Sequence, residues 1–196
     1  MTIQVKYKLI GSLNISGDKS ISHRSVIMGA MSIGQTKIFN LLESKDIFST
    51  INILRNLGVK IRKVGEEWIV NGVGTSGFKQ PHKVLDAGNS GTTSRLMLGA
   101  VATNPICATF TGDKSLCSRT MSRVTDLLED IGAKVELTKN NYLPLSIEGT
   151  QNSLPKKHVI NKPSAQIKSC IMLAALNING QTSIIENQAT RDHTEI

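Results

Sequence analysis

Hydrophobic positions along the chain repeat in a pattern that predicts three copies of a helix followed by a strand. Residues 22–42, 92–112 and 165–185 each begin with small or polar residues and continue as an apolar run rich in Ala, Met, Leu and Ile. A break at Gly, Asn or Pro follows in each segment, and then a stretch of residues that favour β-structure. This order is typical of a buried helix that leads into a strand.

A second type of helix is predicted between these segments, with apolar residues on one face only. Residues 46–61 and 119–135 each begin with this amphipathic pattern and end in a β-like run, and we expect each helix to begin near the first residue of its range. Gly58 and Gly132 follow the two patterns and precede β-like runs. Glycine in that position indicates a helix C-cap.

Together these elements define a unit of strand, helix, strand, helix and a closing strand pair, which recurs about every 73 residues. The turns of the closing pairs are predicted at residues 64–67 and 138–141. Alternating strands and helices predict an α/β fold. The alternative is chance similarity among aliphatic helices, but the matching order, lengths and glycine positions favour a true repeat.

The same spacing places the start of the third unit's second helix near Asp192, close to the last residue. We therefore expect the third repeat to be incomplete and the chain to be truncated relative to a longer parent.

Composition narrows the class of protein. Hydrophobic residues make up 39% and charged residues 19%, which is typical of a globular chain, and aromatics at 4% predict an aliphatic core. We expect no membrane partner, because no apolar stretch is long enough to span a bilayer and the amino-terminus does not read as a signal peptide. Cys107, Cys117 and Cys170 lack metal-binding spacing, which favours reduced thiols in the cytoplasm.

Lys and Arg number 23 against 15 acidic residues, and the net charge of +8 suggests anionic partners. Nucleic acid is one candidate class, but long basic runs and aromatic stacking residues are missing. The basic residues that stand out lie singly beside Gly, Ser and Thr. We therefore expect small phosphorylated or carboxylated ligands and no nucleic acid.

Candidate chemistry lies where helices are predicted to start, in residues 17–24, 87–95 and 162–169, with further motifs at 112–121 and 190–195. Free backbone N–H groups at a helix start favour an anion, and Lys or Arg adds full charge. Each motif alone is explained equally well by an ordinary helix cap with solvated basic side chains. If the helix ends converge, together they predict a pocket for a ligand with several anionic groups.

Five motifs resemble, in order and spacing, those of the 5-enolpyruvylshikimate-3-phosphate synthase family: GDKSISHR, AGNSGTTSRLMLG, GDKSLCSR, PSAQIKS and TRDHTE. The resemblance covers the whole chain. It implies a two-domain enzyme of roughly twice this length, in which each domain has three βαβαββ units in a pseudo-threefold arrangement. Residues 1–196 would then be the amino-terminal domain, truncated in its third repeat, with the carboxy-terminal domain absent.

The resemblance also implies an activity. Members of this family transfer the enolpyruvyl group of phosphoenolpyruvate to the 5-hydroxyl of shikimate 3-phosphate and release phosphate, a step of aromatic amino-acid biosynthesis. It implies no metal or organic cofactor and a monomeric parent. Because the family's proton-transfer residues lie in its second half, no catalytic residue is expected in this chain, and the isolated chain is expected to be inactive.

The resemblance assigns ligand roles by position. The residues implied for shikimate 3-phosphate are Lys19, Ser20, Arg24, Ser164, Ala165, Gln166 and Arg191. Those implied for phosphoenolpyruvate are Lys19, Asn89, Gly91, Thr92, Arg119 and Gln166. No metal ligand is implied. An alanine at the position of Gly91 would crowd the inhibitor glyphosate, so the parent is expected to be sensitive to it.

Three points stay open at this stage. The family usually has Pro where Thr120 follows Arg119, which leaves the rigidity of this loop undecided. The related UDP-N-acetylglucosamine enolpyruvyl transferases have a reactive Cys five residues before their arginine, whereas Cys117 lies two residues before Arg119 and reads as incidental. The alternative to a ligand role for Arg119 is a surface residue that pairs with Asp113 or Asp126. The alternative for the chain as a whole is a non-catalytic binding domain.

Overall fold

Helices and strands alternate along the chain as the hydrophobic pattern predicts. The computed structural model describes residues 10–137 and 141–196. The helices are α1 (Lys19–Met31), α2 (Lys45–Asn56), α3 (Gly91–Ala102), α4 (Ser122–Asp130) and α5 (Ala165–Ala175). The strands are β1 (Ile33–Ile38), β2 (Lys60–Val64), β3 (Glu67–Val73), β4 (Leu85–Asp86), β5 (Cys107–Thr111), β6 (Lys134–Leu137), β7 (Leu145–Glu148), β8 (Lys157–Ile160) and β9 (Ser183–Glu186).

The sheet topology confirms the repeat. The second unit has the full βαβαββ order, and its sheet is arranged β4-β5-β7-β6 with β4 parallel to β5. The first unit has the equivalent arrangement β1-β3-β2, and the third contributes the parallel pair β8-β9. The first strand predicted for unit one is absent from residues 10–18, and residues 1–9 lie outside the described part of the chain.

The first helix of each unit forms the centre of the core. α1, α3 and α5 carry apolar or small residues on most of their faces, and α3 packs against both of the others. A Cβ at Gly99 would lie 2.1 Å from the carbonyl oxygen of Cys170, so glycine is what allows α3 to approach α5 this closely. The amphipathic α2 and α4 each bury one face and leave the other exposed.

Glycine closes both amphipathic helices, as predicted. Gly58 follows α2 with a φ of +91°, and the amide of Val59 reaches back to the carbonyl oxygen of Leu54 at 3.0 Å. Gly132 follows α4 with a φ of +106° and supports the same closure. A left-handed residue is needed at this position, and glycine adopts it without the steric cost that a Cβ brings.

The predicted start of the fourth helix was wrong. α4 begins at Ser122 rather than near Arg119, because a 3₁₀ turn at Leu116–Ser118 comes first. The carboxylate of Asp113 starts this turn by accepting a hydrogen bond from the amide of Leu116 at 2.8 Å. Arg119 therefore lies in the connection between the turn and the helix.

The remaining boundary predictions have mixed outcomes. The turn at residues 64–67 is confirmed between β2 and β3. In the predicted turn at residues 138–141, residues 138–140 lie outside the described part of the chain. Near Asp192, where another helix was expected, the amide of Ile196 bonds to the carbonyl oxygen of Asp192 at 3.2 Å, which is the hydrogen bond of a first α-helical turn.

Candidate functional site

The three central helices start in the same way. Asp18, Ser90 and Ser164 are their N-caps, and each side chain accepts a hydrogen bond from the amide three residues later, at 2.9, 3.1 and 3.4 Å. The amides at the first two positions of each helix have no partner within the helix. Those positions are Lys19 and Ser20, Gly91 and Thr92, and Ala165 and Gln166.

Gln166 joins the starts of α3 and α5 directly. Its Oε1 accepts a hydrogen bond from Arg95 Nη1 at 3.0 Å, and its Nε2 donates to Thr92 Oγ1 at 2.9 Å. Arg95 Nη1 also donates to the carbonyl oxygen of Gly91 at 3.3 Å. The two bonds of the amide fix its orientation, so the structure brings together residues that are more than 70 positions apart in the sequence.

Arg119 approaches the same region from the loop before α4. Its Nη2 donates to Asn89 Oδ1 at 2.8 Å and to Ser115 Oγ at 3.1 Å. Asn89 in turn donates to the carboxylate of Asp113 at 2.6 Å, so Arg119 reaches Asp113 through the amide and does not pair directly with it or with Asp126. The pKa of Asp113 is lowered, first by the amide of Leu116 and then by Asn89.

Positive charge accumulates beside Gly91. A Cβ at Gly91 would lie 2.7 Å from Arg95 Nη1 and 3.5 Å from Arg119 Nη1. Burial lowers the pKa of Arg95, and the charges of Arg119 and Arg123 lower it further. An adjoining groove of about 350 Å³ is lined by these three arginines together with Thr120, Ser164, Gln166 and Ile167. An anion in this groove would relieve the repulsion among the guanidinium groups.

A second groove, of about 670 Å³, lies on the other side of the α5 start. Pro163, Ser164, Ala165 and Gln166 line one wall, and Ala189, Thr190 and Arg191 line the other. Ser164 and Gln166 belong to both grooves, which are therefore adjacent. Arg191 is exposed at this wall.

The start of α1 differs from the other two because its cap carries a negative charge. The pKa of Asp18 is lowered first by the amide of Ile21 and then by the amide of Ser20, with a smaller effect from the charge of Arg191. The hydrogen bond from Arg24 to Thr194 places the carboxy-terminal segment beside α1. The side chain of Lys19 forms an ion pair with Asp46 on α2. A carboxylate cap opposes an anionic ligand, so attraction at this helix end depends on Lys19.

Arg24 lies beneath the site rather than on its surface. The residue is buried, and its guanidinium donates to Thr194 Oγ1 and to Ser169 Oγ at 2.6 Å each and to the carbonyl oxygen of Ser20 at 3.0 Å. Burial lowers its pKa, and the charge of Glu195 opposes that effect. Three of the five N–H donors of the group are engaged by these residues. Arg24 is not among the residues that line the two grooves.

A buried hydroxyl network connects the central helices below the site. His23 Nδ1 lies 2.8 Å from Thr50 Oγ1, which lies 2.8 Å from Thr93 Oγ1, and Thr93 Oγ1 lies 2.7 Å from Ser90 Oγ. Burial lowers the pKa of His23 to about 4, so the ring is neutral near pH 7. Among the described residues its Nε2 has no hydrogen-bond partner.

An ion cluster around the buried side chain of Lys168 fixes the segment that carries Arg191. Lys168 on α5 pairs with Glu186 of β9 and with Glu195, at 2.6 Å in each case. Burial favours a lower pKa for Lys168, but the hydrogen bonds to the two carboxylates outweigh it and raise the pKa. The carboxy-terminal segment is thus held against α5, and Arg191 is held at its groove.

Sequence reasoning placed most of the predicted ligands at these helix starts but missed two residues. Arg95 was within a motif and yet received no ligand role, although it bonds Gln166 directly. Asp46 was predicted only as a helix start, because its pairing with Lys19 depends on how α1 and α2 pack. No cluster of His, Cys, Asp and Glu among residues 10–137 and 141–196 has the geometry of a metal site, and no helix in those ranges is long and apolar enough to cross a membrane.

Comparisons with known proteins identify relatives of this chain. The chain is 50% identical over all of its 196 residues to the 3-phosphoshikimate 1-carboxyvinyltransferase of Paracoccus denitrificans, covering 44% of that protein. It is 50% identical over 188 residues to the enzyme of the same name from Afipia carboxidovorans, covering 42% of it. The chain therefore spans less than half the length of these curated relatives.

A solved EPSP synthase from Acinetobacter baumannii has the same fold, with a TM-score of 0.90 at 39% identity over 94% of this chain and 42% of that protein. The family model described as EPSP synthase (3-phosphoshikimate 1-carboxyvinyltransferase) matches residues 3–196. The chain therefore belongs to the EPSP synthase family.

Proposed function

We propose that this chain is part of a protein that transfers the enolpyruvyl group of phosphoenolpyruvate to the 5-hydroxyl of shikimate 3-phosphate and releases phosphate. The observation that carries the proposal is the link between the starts of α3 and α5, where Gln166 joins Arg95 and Thr92 beside a positively charged groove. Both substrates carry a phosphate and a carboxylate, so their site needs several convergent N–H donors and cations. The names of the relatives support the same reaction.

For shikimate 3-phosphate we propose the groove between the α5 start and residues 189–191, with the α1 start beside it. Its proposed ligands are Lys19, Ser20, Arg24, Ser164, Ala165, Gln166 and Arg191. Ser164 to Gln166 and Arg191 already line one groove, which supports this assignment. Arg24 would act from below, and it also orders Ser20 through the carbonyl oxygen.

For phosphoenolpyruvate we propose the arginine-lined groove. Its proposed ligands are Lys19, Asn89, Gly91, Thr92, Arg119 and Gln166, and we add Arg95 because it orients Gln166. The amides at the start of α3 and the guanidinium of Arg119 supply fixed positive charge for a phosphate that leaves during the reaction. Small size at Gly91 keeps the space beside both guanidinium groups open, and on this basis we propose that the longer protein is sensitive to glyphosate.

Enolpyruvyl transfer proceeds by addition and elimination, and it needs proton transfer at the enolpyruvyl carbon and at the hydroxyl. We propose that residues outside these 196 supply those proton-transfer groups and that this chain supplies binding, orientation and charge. No metal or organic cofactor enters the proposal. The cysteines at positions 107, 117 and 170 are free thiols, which supports a reducing, cytoplasmic location.

Calorimetry on this chain tests the binding roles. Shikimate 3-phosphate should bind, and Gln166→Leu should weaken it more than tenfold because both hydrogen bonds of the amide are lost. Gln151→Leu at an exposed position is the matched control and should leave the affinity within twofold. Unchanged affinity after Gln166→Leu would contradict the proposed site.

A second pair of variants tests the phosphoenolpyruvate groove. Arg119→Gln should weaken phosphoenolpyruvate binding in the presence of shikimate 3-phosphate about tenfold or more, since a charged partner of the phosphate is lost. Arg62→Gln makes the same charge change on the exposed face of β2 and should have little effect. A phosphate-release assay on the unmodified chain should show no turnover. Turnover would refute the proposal that residues outside these 196 supply the proton-transfer groups.

A further inference from the structure

The first turn of α2 contacts the starts of both α1 and α3, although it supplies none of the proposed ligands. The carboxylate of Asp46 forms an ion pair with Lys19 Nζ on α1. The backbone carbonyl of the same residue accepts a hydrogen bond from Thr93 Oγ1 on α3 at 3.3 Å. One residue thus connects two of the three helix ends that form the anion site.

The position of Asp46 suits a carboxylate. Ser44 caps α2, and Asp46 is the second residue of the helix, where the partial positive charge of the helix start favours a negative side chain. The side chain of Asp46 is 22% exposed, whereas that of Lys19 is 52% exposed. Asp46 is therefore the better-fixed partner of the ion pair, and the long lysine side chain is the one that the pair orders.

An ammonium group has three N–H donors, and the pair with Asp46 leaves donors of Lys19 available to a ligand. An unpaired lysine at this exposure would sample many rotamers and would lose that freedom when it binds an anion. With Asp46 present, part of the conformational freedom of the Lys19 side chain is lost on folding instead of on binding.

We propose that Asp46 is a positioning residue that acts through Lys19 and holds its ammonium group at the entrance of the anion site. The identity of the anion, shikimate 3-phosphate, rests on the proposed function. The positioning of Lys19 by Asp46 does not rest on the proposed function, and it can be measured without any ligand.

Electrostatics alone predicts the opposite effect of Asp46, and this makes the test decisive. Asp46→Asn removes a negative charge near the site, so a carboxylate that merely competes for Lys19 or repels the ligand would give tighter binding when removed. A positioning residue gives weaker binding. We expect calorimetry with shikimate 3-phosphate to show a two- to tenfold loss of affinity, a range that follows from immobilising about one long side chain.

Asp130→Asn is the matched control, because it removes a carboxylate from an exposed ion pair with Lys156 at the far end of α4. It should leave the affinity within twofold. Asp46→Glu should restore part of the loss. Unchanged or increased affinity in Asp46→Asn, with an unfolding transition like that of the wild type, would overturn the proposal.

A double-mutant cycle shows whether Asp46 acts through Lys19. In a Lys19→Met background, Asp46→Asn should cause no further loss of affinity, because there is no ammonium group left to position. An equal loss in both backgrounds would mean that Asp46 acts by another route, and it would refute the proposal.

A measurement without ligand tests the positioning of Lys19 even if the wild-type chain does not bind shikimate 3-phosphate. Failure of the wild-type chain to bind would count against the proposed function alone. The side-chain ammonium of Lys19 is followed by ¹H–¹⁵N NMR and assigned by its loss in Lys19→Met. The signal should be protected from solvent exchange in the wild type and should broaden in Asp46→Asn, whereas Asp130→Asn should leave it unchanged. Equal exchange in wild type and Asp46→Asn would show that Asp46 does not position the lysine.

Discussion

Protonation of His23 should destabilise the fold, because its imidazole is fully buried in the hydroxyl network between α1, α2 and α3. The ring is 0% exposed, and Nδ1 lies 2.8 Å from Thr50 Oγ1. Burial is the main cause that lowers its pKa; the nearby charges of Lys19 and Arg24 lower it further, and Asp46 opposes them. A proton on this ring would add a charge that no described carboxylate contacts directly.

The magnitude follows from the difference in pKa between the folded and unfolded states. The folded value is about 4 against an ordinary value of 6.5. Below pH 6.5 the unfolded chain binds a proton at this residue while the folded chain does not, so the free energy of unfolding falls as the pH falls. The loss should amount to about 3 kcal/mol between pH 7 and pH 4 and should level off below pH 4.

Urea unfolding from pH 4 to pH 8 measures this effect when wild type is compared with His23→Asn, because the other titrating groups cancel in the difference. Asparagine can keep a hydrogen bond to Thr50 but cannot titrate. The free energy of unfolding of the wild type minus that of His23→Asn should fall by about 3 kcal/mol as the pH falls from 7 to 4. His82→Asn removes an exposed imidazole and should run parallel to wild type. Parallel curves for His23→Asn would refute the reasoning.

Two further substitutions test the packing and charge of the core by urea unfolding. Gly99→Ala should cost about 1–3 kcal/mol, because the new Cβ would lie 2.1 Å from the carbonyl oxygen of Cys170, and a neutral result would show that α3 is not packed tightly against α5. Lys168→Met should cost about 1–2 kcal/mol, because Glu186 and Glu195 would then lose their shared counter-ion, although both carboxylates are partly exposed to water. Glu195→Gln in the Lys168→Met background should recover part of that loss, and a further loss would contradict the ion-cluster account.

Local signals in the sequence were sufficient to predict the repeated elements. Gly58 and Gly132 end their helices because the left-handed conformation is a property of the residue itself. Ser90 and Ser164 cap helices because their hydroxyl groups lie within reach of amides three residues later. The starts of α3 and α5, and with them several of the proposed ligands, were therefore predictable without tertiary information, whereas the start of α4 was not.

Long-range packing decided what could not be predicted. Arg24 has the sequence context of an exposed ligand, but its burial depends on Ser169 and Thr194, which approach it only in the folded chain. The pair of Lys19 with Asp46 likewise depends on how α1 and α2 pack. Such contacts join residues far apart in the chain, and neither periodicity nor spacing specifies them.

The central claim is that the starts of α1, α3 and α5 form one site, in which the α1 and α5 starts bind shikimate 3-phosphate and the α3 start adds ligands for phosphoenolpyruvate. Titration of the ¹⁵N-labelled chain with shikimate 3-phosphate, followed by amide NMR, tests this claim most directly. We predict saturable shifts concentrated at Lys19–Ser20 and Ser164–Gln166, and further shifts at Gly91–Thr92 when phosphoenolpyruvate is added to the saturated chain. Shifts spread over exposed basic positions such as β2, or confined to one helix start, would contradict it.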